Sequence, residues 1–397
     1  MSESTEIKWY RPLVLGLLDA LHGSFVEGYH AEKVLERLFK QNKKWGKRDR
    51  AFVAENFYEC VRYFRRYQAA LGFDGALNPN QLEQLLILFF VDRYGEFPHF
   101  LKSTLKEAQL SSALRKGLKE VEELSYPDWF FKRYLEQNED GIGVLKSLNQ
   151  PAVLYLRANR LKATPQQVVE QLSDEGIRAE ALEDDVLRVD GRPNVFRTDS
   201  FKQGLFEVQD RGSQKIGAFC RPQPGQWVLD VCAGAGGKSL HLASMMQNKG
   251  KLISSDLHDY KLDELRKRSS RAGVDIIETR PLGKLKKVKR PFDRILLDVP
   301  CSGMGVLRRH PDSKWKMTED KVDELIKTQQ EILDRYSSLL SADGELVYAT
   351  CSLLKEENDQ QVESFLSRHP QWKLQEVQTI EPQDFDCDGF FMARLTR

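Results

Sequence analysis

Apolar positions recur at helical spacing early in the chain: Leu13, Leu15, Leu17, Leu18 and Leu21, then Val34, Leu35, Leu38 and Phe39. Gly and Pro are sparse until Gly72 and the Asn78-Pro79-Asn80 turn, where Leu82, Leu85, Leu86, Leu88, Phe89 and Phe90 begin another apolar helix. The pattern predicts an all-helical domain over residues 1–125. From Pro127 the pattern shortens. Leu154–Asn159 and Val186–Val189 read as strands, with a helix over Pro165–Glu175 capped by Thr164 between them, so a small α/β module is predicted over 126–221. From Pro222 onward short apolar runs alternate with amphipathic helices, the order of a doubly wound α/β sheet over 222–397. Its predicted strands are Trp227–Val231, Leu252–Ser255, Ile276–Glu278, Arg294–Leu297 and Glu345–Ala349. A late pair near Leu374–Ile380 and Phe390–Leu395 completes it.

Composition narrows this picture only a little. The 397 residues are 41% hydrophobic and 30% charged, those of an ordinary folded chain rather than a disordered one. With 60 basic and 59 acidic side chains, a nucleic-acid surface requires local segregation of charge. The six cysteines show no CxxC spacing, which argues against a disulfide framework or a structural zinc and for a reducing cytoplasm. Residues Met1–Glu6 lack a signal pattern, and no apolar run is long enough for a membrane span.

The strand ending at Asp230 runs into Val231-Cys232-Ala233-Gly234-Ala235-Gly236-Gly237-Lys238-Ser239 and opens a helix there. Small residues let the backbone approach a ligand, and the helix start offers free N–H groups. A phosphate loop would need glycine at Cys232, and the dinucleotide G-x-G-x-x-G fails at Ser239. The next strand ends at Asp256, where an acid commonly binds ribose hydroxyls or, alternatively, caps a helix. Two later strands end in cysteine-bearing motifs: Asp298-Val299-Pro300-Cys301-Ser302-Gly303-Met304-Gly305 and Thr350-Cys351-Ser352. One such cysteine reads as a small buried hydrophobe. Two at the ligand edge of one sheet, with an aspartate beside them, read as nucleophilic chemistry.

Charge is segregated in two places. Lys40 to Arg50 gathers Lys43, Lys44, Lys47 and Arg48 around Trp45, with Arg62, Arg65 and Arg66 beyond. The run is either a solvated loop or an RNA-contacting patch in which Trp45 stacks. Lys284–Arg290 offers the same two readings.

Together the Asp230–Lys238, Asp298–Gly305 and Thr350-Cys351-Ser352 motifs resemble the RsmB/Sun family of S-adenosylmethionine-dependent RNA (cytosine-5) methyltransferases. Gln209-Asp210-x-x-Ser213, Arg308-Arg309-His310-Pro311 and Asp388-Gly389-Phe390-Phe391-x-Ala393 fit the same pattern. The resemblance implies a Rossmann-like methyltransferase fold at the C-terminus, a small RRM-like module, and a NusB-like RNA-binding helical domain. It assigns the nucleophile to Cys351, release of the enzyme to Cys301, and the hold on the base to Asp298. Cys232, Ala233, Gly234, Ala235, Gly236, Gly237, Lys238, Asp256 and Asp298 would bind S-adenosylmethionine. Lys43, Lys44, Lys47, Arg48, Arg308 and Arg309 are candidate RNA contacts. The implied partner is RNA, small-subunit ribosomal RNA first and transfer RNA next, for a cytoplasmic monomer that needs no metal. The sequence departs from the family where an acid after the third strand contacts adenine: here it runs Glu278-Thr279-Arg280.

Three rival functions are open at this level. A small-molecule methyltransferase would need neither paired cysteines nor a helical appendage. A DNA cytosine-5 enzyme would use Pro300-Cys301 and leave Cys351 idle. A non-catalytic RNA-binding ribosome-assembly factor would tolerate loss of both thiols.

Overall fold

A computed structural model describes residues 7–397; the acidic stretch Met1–Glu6 lies outside the described residues, as do the side chains of Glu107, Lys286 and Lys287. The chain divides into two compact units. One comprises residues 1–136 with the excursion His310–Met317, the other residues 137–309 and 318–397.

The first unit is helical, as its periodicity predicts. Helices Arg11–Phe25, Ala31–Gln41, Lys47–Arg62, Phe64–Ala70 and Pro79–Tyr94 enclose a core that includes Val14, Leu17, Val53, Phe57, Leu85 and Phe90. The Asn78 side chain accepts from the Gln81 amide while Gln81 reaches back to the Asn78 amide, which starts the fifth helix; Gly95 ends it in the left-handed region. His310–Met317 docks here through four polar side chains. Lys314 is fully buried, donates to the carbonyls of Arg62 and Ser125, and lies 3.9 Å from the Tyr126 ring centroid. Burial pushes its ammonium well below its ordinary pKa. Trp315 donates to the Val61 carbonyl at 2.8 Å and Lys316 to that of Tyr29 at 2.6 Å. Asp312 accepts from the amide of Ala31, the first residue of its helix, at 3.0 Å.

The second unit holds two sheets. Strands β1 (Leu154–Ala158), β2 (Ala179–Ala181), β3 (Val186–Val189) and β4 (Phe206–Val208) form an antiparallel sheet in the order β2-β3-β1-β4, backed by the helix Pro165–Asp174. Only β1 and β3 are legible as apolar runs; β2 and β4 are three-residue edges. The large sheet contains β5 (Trp227–Asp230), β6 (Lys251–Ser254), β7 (Ile277–Thr279), β8 (Phe292–Asp298), β9 (Leu340–Thr350), β10 (Lys373–Ile380) and β11 (Phe390–Thr396), in the order β10-β11-β9-β8-β5-β6-β7. Strands β5 to β9 run parallel, and the late pair adds an antiparallel hairpin at the β9 edge. The central strands are buried on both faces, which explains their near-continuous apolar runs. Helices join the parallel strands, so the C-terminal ends of β5, β6, β8 and β9 gather at one edge. Among the described residues no helix is long and apolar enough to cross a membrane.

Candidate active site

The turn after β5 is set by backbone geometry. Gly234 and Gly236 both have positive φ, at 55° and 88°. A Cβ at Gly236 would come within 1.9 Å of Leu265 Cδ1, so only glycine fits where the following helix, Gly237–Met245, begins. The turn is held from behind by two guanidiniums. Arg157, buried on β1, donates to the Gly237 carbonyl at 2.7 Å, and Arg268 donates to that of Ala235 at 2.8 Å. Glu207 on β4 pairs with Arg268 at 2.8 Å and with Arg271, so the small sheet supports the ligand turn of the large one. Burial pushes Arg157 down to about 10, still leaving it charged at neutral pH.

Asp256 stands beyond β6, and its two carboxylate oxygens accept from the amides of Gly234 and His258, each at 2.9 Å. Beside it opens a cavity of about 530 Å³, lined by Cys232, Gly234, Asp256 and Asp298 of the sequence-identified set. Leu257 at its wall is 77% exposed, an apolar side chain with no covering partner. Leu282 and one face of the helix Glu319–Ser337, with Thr328 and Ile332, close the far side.

The other expected turn residues act differently. Ala233 packs into the core, and Ala235, Gly236 and Gly237 shape the backbone without lining the cavity. Lys238 turns away to meet Asp298, Nζ to Oδ2 at 2.8 Å. Burial alone would lower the Lys238 pKa, but the Asp298 carboxylate overrides it and raises the ammonium above its ordinary value. Neither Glu278 nor Arg280 lines the cavity. They pair with each other, and Lys251 Nζ also lies 2.5 Å from Glu278.

Strands β8 and β9 are parallel neighbours with Asp298 opposite Ala349. Their extensions bring Cys301 and Cys351 together, with the sulfurs 3.2 Å apart. The Cys351 amide also donates to the Cys301 sulfur, at 3.2 Å. The hydrogen bond with Cys351, and burial after it, push the Cys301 thiol well above its ordinary pKa. Gly305 locks the two loops. Its amide donates to the Cys351 carbonyl at 2.9 Å, and its carbonyl accepts from Gly389 at 2.8 Å.

Two expected RNA contacts are turned inward. Arg308 is buried and donates to the carbonyls of Pro151 and Cys387 and to Asp386. Arg309 bridges Asp210 and Asp388, with Nε 2.7 Å from Asp388. Their carboxylate partners lie far away in sequence, so the pair looks solvent-facing when only its neighbours are read. Burial, with Asp210 nearby, raises Asp388 to about 7 despite Arg309. Trp45 is half-buried and packs against the helical core: a Cβ on Gly16 would sit 2.4 Å from its ring. Arg62 pairs with Glu59, Arg65 with Asp128, and Arg66 with Asp92 and Glu123. Lys43, Lys44, Lys47 and Arg48 are exposed. In the second basic run Arg290 lies over Trp227, 4.7 Å from the ring centroid.

Comparison with known proteins places this architecture. The family model "16S rRNA methyltransferase RsmB/F" matches residues 218–396, and a ferredoxin-like domain of RsmF/B-like methyltransferases matches 126–195. The probable ribosomal RNA small subunit methyltransferase B of Synechocystis sp. is 33% identical over 304 residues, 70% of this chain and 68% of that protein. The crystal structure of PH0851 aligns with a TM-score of 0.78 at 22% identity, covering 99% of this chain and 100% of that one. NSun6 from Pyrococcus horikoshii, solved with SFG, aligns at 0.63 and 20% identity over 68% of this chain and 98% of that one. At these identities the two structures speak for the fold alone. The fold is that of a Rossmann-like methyltransferase, with a glycine turn after β5 and a pair of cysteines beyond the tips of β8 and β9. The chain belongs to the RsmB/F family.

Proposed function

We propose that this protein transfers a methyl group from S-adenosylmethionine to C5 of a cytosine in RNA, through a covalent adduct between Cys351 and C6 of the base. The observation that carries the reading is the 3.2 Å approach of two thiols at adjacent strand tips, beside the Lys238–Asp298 pair. Small-subunit ribosomal RNA is the favoured substrate, because the Synechocystis relative is named for it.

The cavity fits the cofactor. Gly234 lets the backbone approach a ligand, Asp256 retains lone pairs for ribose hydroxyls, and exposed Leu257 offers an apolar face for an adenine. SFG in the NSun6 structure is an S-adenosylmethionine analogue, which agrees. When bound, the cofactor supplies an electrophilic methyl group. Gly236→Ala tests the turn: relief of the clash with Leu265 and of the left-handed backbone must displace the turn, so S-adenosylhomocysteine should bind roughly ten- to a hundredfold more weakly by calorimetric titration.

Cytosine C5 is a poor nucleophile, and thiolate addition to C6 moves the C5=C6 electrons onto C5. Cys351 gives its thiol proton to solvent and attacks as the thiolate, while Cys301 keeps its proton, in line with the raised thiol of Cys301. Asp298 accepts a hydrogen bond from the base, and the Lys238 ammonium stabilises charge that develops on the ring. After C5 is methylated, Cys301 passes its proton to the departing Cys351 sulfur and takes up the C5 proton in its place. The C5=C6 bond re-forms and the enzyme is free. A non-catalytic assembly factor gives no reason for two thiols in contact.

RNA containing 5-fluorocytidine tests the adduct. Fluorine replaces the proton that must leave, so a stable protein–RNA complex should form only with S-adenosylmethionine present, and peptide mass mapping should place the base on Cys351. Absence of any complex, with no methyl transfer to natural RNA, would favour the binding-factor reading.

A further inference from the structure

One buried carboxylate holds both thiol-bearing loops. Glu357 lies in the turn Lys355–Glu357 and is 0% exposed. Its Oε1 accepts from the Ser302 amide at 2.8 Å and from Gln329 Nε2 at 2.9 Å, and its Oε2 accepts from the Ser352 hydroxyl. Ser302 directly follows Cys301, and Ser352 directly follows Cys351. The two serine hydroxyls are themselves 3.1 Å apart. Gln329 also donates to the carbonyl of Pro300, the residue before Cys301, at 2.9 Å. From the β9 side the Tyr348 hydroxyl donates to the Glu357 carbonyl at 2.7 Å, and Asn358 Nδ2 donates to the Ser352 carbonyl at 3.1 Å.

This arrangement is costly for stability alone. The three donors to the carboxylate are neutral, no ion pair reaches it among the described residues, and a buried carboxylate so placed carries a large desolvation penalty. What it supplies is geometry. A planar group with two acceptor oxygens can take donors from both loops at once, which an apolar side chain cannot do and an amide can do through one oxygen only. We propose that Glu357 is a positioning residue that fixes the separation of Cys301 and Cys351, and thereby the proton exchange between them. Its catalytic consequence rests on the two-cysteine reading above; the clamp itself does not.

The test uses the full chain and Glu357→Gln, which removes the negative charge and one of the two acceptor oxygens, so that the Ser352 hydroxyl loses its acceptor or the Ser302 amide and Gln329 lose theirs. The sulfur separation is read without catalysis, by equilibrating the protein with glutathione and its disulfide and quantifying the Cys301–Cys351 disulfide by peptide mass. Two thiols lose two protons and two electrons, and one glutathione disulfide becomes two glutathiones. The wild type should form this disulfide readily, and Glu357→Gln should lower its equilibrium constant by about tenfold or more. In turnover, kcat should fall by about a hundredfold, while the RNA KM and the S-adenosylhomocysteine Kd stay within about threefold. Ser352→Ala removes one donor with little risk to folding. It should move both readouts the same way by less, and the double variant should fall short of additivity.

An unchanged disulfide equilibrium in both variants overturns the clamp whatever kcat does. Parallel loss of cofactor binding, RNA binding and turnover would also overturn it, as general structural damage. If the wild type transfers no methyl group to any RNA, the proposed function fails. The disulfide equilibrium then still decides whether Glu357 sets the thiol geometry.

Discussion

Cys301→Ala is expected to accumulate a covalent protein–RNA complex on natural RNA with S-adenosylmethionine, visible as a retarded band on a denaturing gel. Cys351→Ala is expected to give neither band nor methylated product. The asymmetry follows from the site. Both sulfurs sit at the tips of β8 and β9, and the Cys301 thiol is pushed well above the ordinary thiol range, by its hydrogen bond to Cys351 and by burial. A thiol that keeps its proton is suited to acid–base work, and the loss of such a group slows turnover by about 10²–10⁴-fold. Without it Cys351 can still add to C6, but the exchange that frees the enzyme is blocked. The reverse pattern, with trapping in Cys351→Ala, would move the nucleophile to Cys301.

Arg309→Ala is expected to be the most destabilising surface-adjacent substitution in the second unit. Arg309 is the shared cation of Asp210 and Asp388, whose side chains are 6% and 2% exposed. Removing one partner from such a group leaves uncompensated buried charge, a cost of about 3–5 kcal/mol. For a unit of this size that corresponds to a fall of about 10 °C in Tm by thermal denaturation. The pH dependence has a definite sign. Asp388 is raised to about 7 in the folded protein by burial, against about 3.9 unfolded, so its contribution is fully present below pH ~4 and is lost as pH rises toward ~7. Without Arg309 the folded-state value rises further and the loss extends to higher pH. The Tm gap between variant and wild type should therefore be wider at pH 8 than at pH 6. A gap that is constant with pH would mean the guanidinium acts through packing rather than charge.

Much of this was legible in the chain. Strands buried on both faces betray themselves as apolar runs, so β5, β6, β8 and β11 were placed within a few residues. The short edges β2 and β4 carry too few apolar positions to stand out. The cysteine motifs announced themselves because they follow predicted strands, and sheet order then brings them together. What did not show was the destination of charged side chains. Arg308 and Arg309 resemble a solvated basic pair until Asp210, Asp386 and Asp388 arrive from distant segments. Lys238 belongs to the ligand turn in sequence yet serves Asp298 in space. Glu357 is one acid in Lys355-Glu356-Glu357-Asn358, and nothing local distinguishes it from its exposed kind. Its role depends on Ser302 and Gln329, which the fold alone delivers. Leu257 and the face of Glu319–Ser337 escaped for the same reason: a cavity wall is a property of packing, not of spacing.

The most direct measurement is nucleoside mass analysis of small-subunit ribosomal RNA lacking its methyl groups, incubated with the purified protein and isotope-labelled S-adenosylmethionine. The account predicts label in 5-methylcytidine, abolished by Cys351→Ala. Label in any other nucleoside, or in 5-methylcytidine at wild-type level without the Cys351 thiol, would contradict it.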